Sequence, residues 1–172
     1  MGTGTVAGII TAAYAPDLSA ARTEALQEFV RLFLGLPRPY LALAIFLNNG
    51  LKTLAVIVAG TLAGILPGVF LLVNGYVLGI VLLSSVESKG VLISLLAIVP
   101  HGLFEFPAIL LGTSIGLMLG SHSIKRLLRK EEKSLATELA RGLRFFLSAI
   151  LPLLLVAAFI EAFVTSAVVP RH

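Results

Sequence analysis

His101 and Glu105 stand four residues apart in IVPHGLFEFPAIL (98–110), a stretch that is otherwise almost wholly apolar. An imidazole and a carboxylate are suited to passing protons or to ligating zinc or another divalent ion. A second carboxylate, Glu161, lies in another apolar run. The chain's three asparagines, Asn48, Asn49 and Asn74, also fall in apolar runs. Polar groups in hydrocarbon are costly, so this concentration requires an explanation.

Three explanations are open. In the first, the amides, the imidazole and the carboxylates hydrogen-bond across helices and fix the packing. In the second, His101, Glu105 and Glu161 bind a divalent metal such as zinc or relay protons. The third is metal-assisted hydrolysis within the membrane. Its support is thin, because the spacing is His-x-x-x-Glu and not the His-Glu-x-x-His of zinc peptidases. The other histidines, His122 and His172, fall at the opposite ends of the expected spans. They cannot complete a site with His101. No catalytic set is therefore expected.

The elements that would carry these groups are membrane helices. The chain has 172 residues, 58% hydrophobic and 13% charged, with a mean hydropathy of +1.02. Soluble domains carry about twice that share of charge. This composition indicates one all-α, polytopic membrane domain. With no cysteine, disulfides and thiolate metal sites are excluded. The formal charge of +4 is concentrated in one segment. It speaks to topology and not to nucleic acid.

The apolar patterning predicts spans at 41–63, 66–85, 90–120 and 142–169. Residues 1–15 are too short for a full span and are expected to form part of a first one. In DLSAARTEALQEFVRLFLGLPR (17–38), Leu26, Phe29, Val30, Phe33 and Leu34 recur at helical spacing opposite the charges. This predicts an external amphipathic helix over 17–36, ended by Pro37 and Pro39. Pro100, Gly102 and Pro107 predict a break in the third long span, with His101 and Glu105 at the break. The expected bundle thus has about five spans, one of them interrupted.

The segment 121–141 and its flank hold Lys125, Arg126, Arg129, Lys130, Lys133, Arg141 and Arg144. It is expected to be a cytoplasmic loop, which puts the N-terminus inside and the C-terminus outside. Its basic side chains could also meet anionic lipid or a cytosolic partner. Counted in from the expected helix ends, Asn48, Asn49, Asn74, His101, Glu105 and Glu161 lie about 12 to 22 Å deep. Agreement in depth predicts one shared cluster. Lys52 is expected to snorkel to the outer headgroups, with pairing to Glu161 as the alternative. Gly60, Gly64 and Gly68, like Gly112, Gly116 and Gly120, are spaced for close helix packing within the bundle. A homodimer seam is the alternative.

PHGLFEFPA (100–108) followed by GTSIGLMLG resembles the stage II sporulation protein M family. IFLNNGLKT (45–53), LLVNGYVLG (71–79) and AAFIEAFVTS (157–166) are similar to that family's pattern, so the likeness covers roughly residues 40–168. The resemblance implies a multipass membrane protein without catalysis of its own, which holds membrane or cell-envelope proteins as a scaffold. It also implies that Asn48, Asn49, Asn74, His101, Gly102, Glu105, Pro107 and Glu161 are the positions that matter. The lipid bilayer is the one partner the composition itself demands.

Overall fold

The computed structural model describes residues 1–15, 36–129 and 134–165. The amphipathic helix expected over 17–36 lies outside the described residues, apart from Leu36. All regular structure among the described residues is helical. α1 covers Gly2–Tyr14, α2 Arg38–Ala59, α3 Ile65–Lys89 and α4 Val91–Leu127. α5 covers Leu135–Thr165, with two wide, π-helical stretches at Phe146–Ile150 and Ile160–Thr165. The last four are long and apolar enough to cross a membrane. α1, at 13 residues, is about 20 Å long and falls short of a full span.

The turns follow from local chemistry. Pro39 sits in the first turn of α2, where its missing N–H would have no helical partner in any case. Gly64 (φ 72°) begins α3 and Gly90 (φ 81°) alone separates α3 from α4. A side chain at either would be strained. Ser85 and Ser94 close this hairpin with a hydroxyl pair at 2.8 Å.

α4 is not broken. It runs through Pro100 and Pro107 as one 37-residue helix, contrary to the expected interruption. Each proline removes one backbone bond, and the remaining ladder carries the helix across the gap. Pro107 and Leu103, whose carbonyl it leaves without a helical donor, both face outward from the bundle. Gly102 does not mark a break either. A Cβ there would meet the Phe106 ring at 2.9 Å, so the glycine makes room for that ring.

Glycines set the helix registers. Gly4 and Gly8 of α1 meet the backbone of α3 at Leu72, Tyr76 and Gly79. In return, Gly75 and Gly79 meet α1 at Met1, Thr5 and Gly8. The two helices run parallel, and α3 provides all of α1's substantial contacts. Gly60 packs on Gly116 and Gly64 on Gly120, so α2 runs parallel to α4. Both glycine rows thus pack inside the bundle, although Gly68 touches nothing there. Gly142 of α5 faces Ile115, which runs α5 antiparallel to α4.

The core lies between α2, α4 and α5 and is built on Ile57, Ala108, Leu119, Phe146, Ile150 and Leu154. Along α5, the inward residues Glu138, Gly142, Phe146, Ile150 and Leu154 recur every four positions. A regular α-helix would rotate this row by about 40° per step. The wide turn at Phe146–Ile150 absorbs part of that drift and keeps the row facing α4.

α4 spans about 55 Å, while a bilayer core is about 30 Å thick. Its far end, with Lys125 and Arg126, therefore extends beyond the hydrocarbon. Antiparallel register brings the start of α5 beside it, and Leu135, Leu139 and Leu143 pack against the core there. The basic segment 121–141 is thus no simple loop. Residues 121–127 complete α4 and residues 135–141 open α5, so it is the end of a helical hairpin. Buried Leu119 and Gly120 supply the apolar anchor that the sequence pattern concealed.

Candidate functional site: a polar cluster between three helices

The continuous helix puts His101 and Glu105 one turn apart on the same side of α4. α5 delivers Glu161 to them from its second wide stretch. His101 Nδ1 and Glu161 Oε2 stand 2.7 Å apart, with side chains 17% and 30% exposed. The ring N–H is not aimed along that line, so the pair is an ionic contact without the geometry of a good hydrogen bond.

α2 closes the third side. Asn49 lies close enough to the Glu105 side chain to act on it, and its Oδ1 accepts from Asn48 Nδ2 at 3.1 Å. His101, Glu161 and Lys52 are the charged neighbours that act on Glu105. Lys52 does not sit near an outer helix end. It lies fourteen positions after Arg38, about 21 Å along α2. Snorkelling outward over that distance exceeds its side chain's reach, and its field falls on Glu105.

Asn74 is not tied into the cluster by the hydrogen bond it makes. Its amide donates to the Phe70 carbonyl one turn back in α3, at 2.8 Å. Agreement in depth placed Asn74 with the others because depth carries no information about which way a helix faces. Five of the six expected positions, His101, Glu105, Glu161, Asn48 and Asn49, do lie on the three helices that share the core.

The donors present are one imidazole and two carboxylates. Among the described residues, no three His, Asp or Glu side chains converge closely enough to hold a metal ion. His101 and Glu161 would be two ligands of such a site, and Glu105 is held instead by Asn49.

Sequence reasoning passed over three further polar residues. Thr53 on α2 and Thr113 on α4 are 1% exposed, and Thr165 on α5 is 7% exposed. No hydrogen-bond partner reaches any of their hydroxyl oxygens. Threonine is common in membrane helices, and nothing in its spacing here separates it from a small packing residue. Glycine pairing between α1 and α3 was equally hidden, although Gly4/Gly8 and Gly75/Gly79 have the same four-residue spacing as the rows that were noted.

The model of the family described as stage II sporulation protein M matches residues 1–166. The chain belongs to the stage II sporulation protein M family. The match begins at residue 1, so this family's pattern includes α1, and the resemblance confined to residues 40–168 was too narrow. An uncharacterized protein of Methanocaldococcus jannaschii is 32% identical over 122 residues, covering 69% of this chain and 68% of its own length. No solved structure matches the chain. Stage II sporulation protein M membership, four helices able to span a bilayer and a polar cluster between three of them together describe a multipass membrane protein.

Proposed function

We propose that this protein is a non-enzymatic membrane scaffold, a fixed frame on which membrane or cell-envelope proteins assemble. The observation that carries the reading is the cross-helix closure of the cluster: His101 with Glu161, and Glu105 with Asn49. The polar groups of α2, α4 and α5 engage one another, as they would in a lock between helices. Family membership supports the same reading. The basic hairpin end, with Lys125, Arg126 and Arg129, supports an orientation with that end and the N-terminus in the cytoplasm.

The test is a paired measurement on purified protein. Under the scaffold reading, His101→Ala and Glu161→Gln lower the midpoint of thermal unfolding, and liposomes carrying the wild type are no more ion-permeable than empty ones. Wild-type permeability that disappears in both variants would reverse the conclusion.

A second reading, proton handling, is favoured by one observation. An imidazole and a carboxylate in contact inside a membrane can exchange a proton without solvent. Metal binding ranks below it, because among the described residues no third His, Asp or Glu converges with His101 and Glu161. Elemental analysis of the wild type against His101→Ala decides that point: a stoichiometric divalent metal lost in the variant would restore it.

A further inference from the structure

Lys52 sits on the outer surface of α2. It lies about 21 Å from the start of that helix and about 10 Å from its end, so both ends are beyond its side chain's reach. Its field falls on Glu105, yet the side chain is exposed. Charged side chains within a bilayer almost always face the inside of a bundle or water, and not lipid. The surface that carries Lys52 therefore calls for a cover.

Register shows where that surface points. On α2, Thr53, Val56 and Gly60 meet α4 at Gly112 and Gly116, and Gly50 meets Leu151 of α5. At about 100° per residue, Lys52 lies on the flank of the α4-facing row that is turned away from α5. α3 occupies that flank, and its Pro67 reaches the same Gly116. Asn74 is two turns on from Pro67 and shares its face. α2 and α3 pack less on each other than either packs on α4. They leave a groove between them, with α4 as its floor. Depth brings three donors together there. Counted from Gly116, Lys52 is about 6 Å out along α2, Asn74 about 10 Å along α3 and Asn48 about 12 Å along α2. A helical side chain leans towards the N-terminus of its own helix, which carries the Lys52 ammonium towards the level of the two amides. Asn48 and Asn74 are half-exposed. Asn48 Nδ2 donates one hydrogen to Asn49, and Asn74 Nδ2 one to the Phe70 carbonyl. Each amide nitrogen carries a second hydrogen, and an ammonium carries three.

We propose that the groove between α2 and α3 receives a membrane helix of a partner protein, which presents an aspartate or glutamate to Lys52, Asn48 and Asn74 near mid-bilayer. This rests on the scaffold reading and gives the class of client that the frame holds. Charge selects the occupant. A carboxylate matches all three donors, whereas a basic helix meets repulsion. A second copy of this chain would bring its own Lys52 to a two-fold contact at this face, lysine against lysine. A helix also suits the site because its backbone bonds are satisfied within itself, even in lipid.

The experiment places the full chain in liposomes, with a donor dye on a cysteine introduced at exposed Ser88. The probe is an acceptor-labelled apolar peptide of about 20 residues with one central glutamate. Matched peptides carry leucine or lysine at that position. Energy transfer reports association. The glutamate peptide should associate at least about tenfold more tightly than the leucine peptide. That preference should vanish in Lys52→Met, and in Lys52→Glu the lysine peptide should take its place. Equal association of the glutamate and leucine peptides with the wild type would overturn the proposal, as would a preference that Lys52→Met leaves unchanged. Transfer between two copies that Lys52→Met abolishes, with no peptide bound, would overturn it in favour of a second copy. If Lys52→Met does not fold, Asn74→Leu provides the comparison, and an undiminished preference there counts against the groove. Ion permeability of the same liposomes tests the scaffold reading separately. Tight liposomes without a peptide preference sink the groove alone, whereas a leak abolished by His101→Ala and by Glu161→Gln overturns the scaffold reading and the groove with it.

Discussion

At the scale of the residue, the cluster has an internal asymmetry. Glu105 is held by an amide, whereas Glu161 is held by an imidazole. Glu105→Gln keeps the shape and can still bond Asn49. Asn49→Leu leaves the carboxyl group without that partner. We therefore expect Asn49→Leu to lower stability by about 1–2 kcal/mol and Glu105→Gln by less, since hydrogen bonds between membrane helices average about 0.6 kcal/mol. Unfolding of both variants in the same detergent checks the order, and a larger loss in Glu105→Gln would contradict it. These positions were largely legible in the sequence, because ionisable groups stand out against hydrocarbon. Lys52 was misjudged because the start of α2 was taken for its neighbourhood. Thr53 and Thr113 were illegible, because a threonine becomes conspicuous only when its surroundings are known.

At the scale of the element, the two wide stretches of α5 make a test of their own. A wide turn accommodates one residue more than an α-helical turn. Deleting Ser148 inside Phe146–Ile150 should convert it to ordinary helix and leave Glu161 facing His101. Deleting Leu153, in the regular part, should turn everything beyond it by about 100° and separate that pair. We expect the first deletion to express and unfold near the wild-type temperature and the second to be strongly destabilised, as thermal melts of both would show. α4 carries the matching lesson about reading sequences. Two prolines and a glycine suggested a break, but the helix has bonds enough on either side to run through. Composition located the residue types correctly and could not weigh them against a 37-residue ladder.

At the scale of the whole molecule, α2, α4 and α5 form one packed unit, while α1 is attached through α3. Gly75→Leu places a side chain where the backbone of α1 now lies. It should release α1 and leave the three-helix core intact. Because the chain has no cysteine, cysteines placed at Thr5 and Tyr76, beside the glycine contacts and not in them, and joined by a short thiol cross-linker would report the α1–α3 contact cleanly. Cross-linking should be efficient in that background and lost when Gly75→Leu is added, with the unfolding midpoint of the core little changed. The four long apolar helices and their order were evident from the apolar runs. The pairing of α1 with α3 was not, because four glycines reveal a close approach but not which helix approaches.

That pairing has a consequence for how the chain is made. α1 leaves the ribosome well before Gly75 and Gly79 have been synthesised. At ordinary translation rates of about 5–20 residues per second, some 65 residues separate the two, a delay of roughly 3 to 13 s. During that time α1 lacks its contacts with α3, which provides all of its substantial ones. Its capture must therefore be post-insertional, timed by the arrival of α3. Until α3 has entered the bilayer, the glycine faces of α1 at Gly4 and Gly8 stay without the backbone they fit.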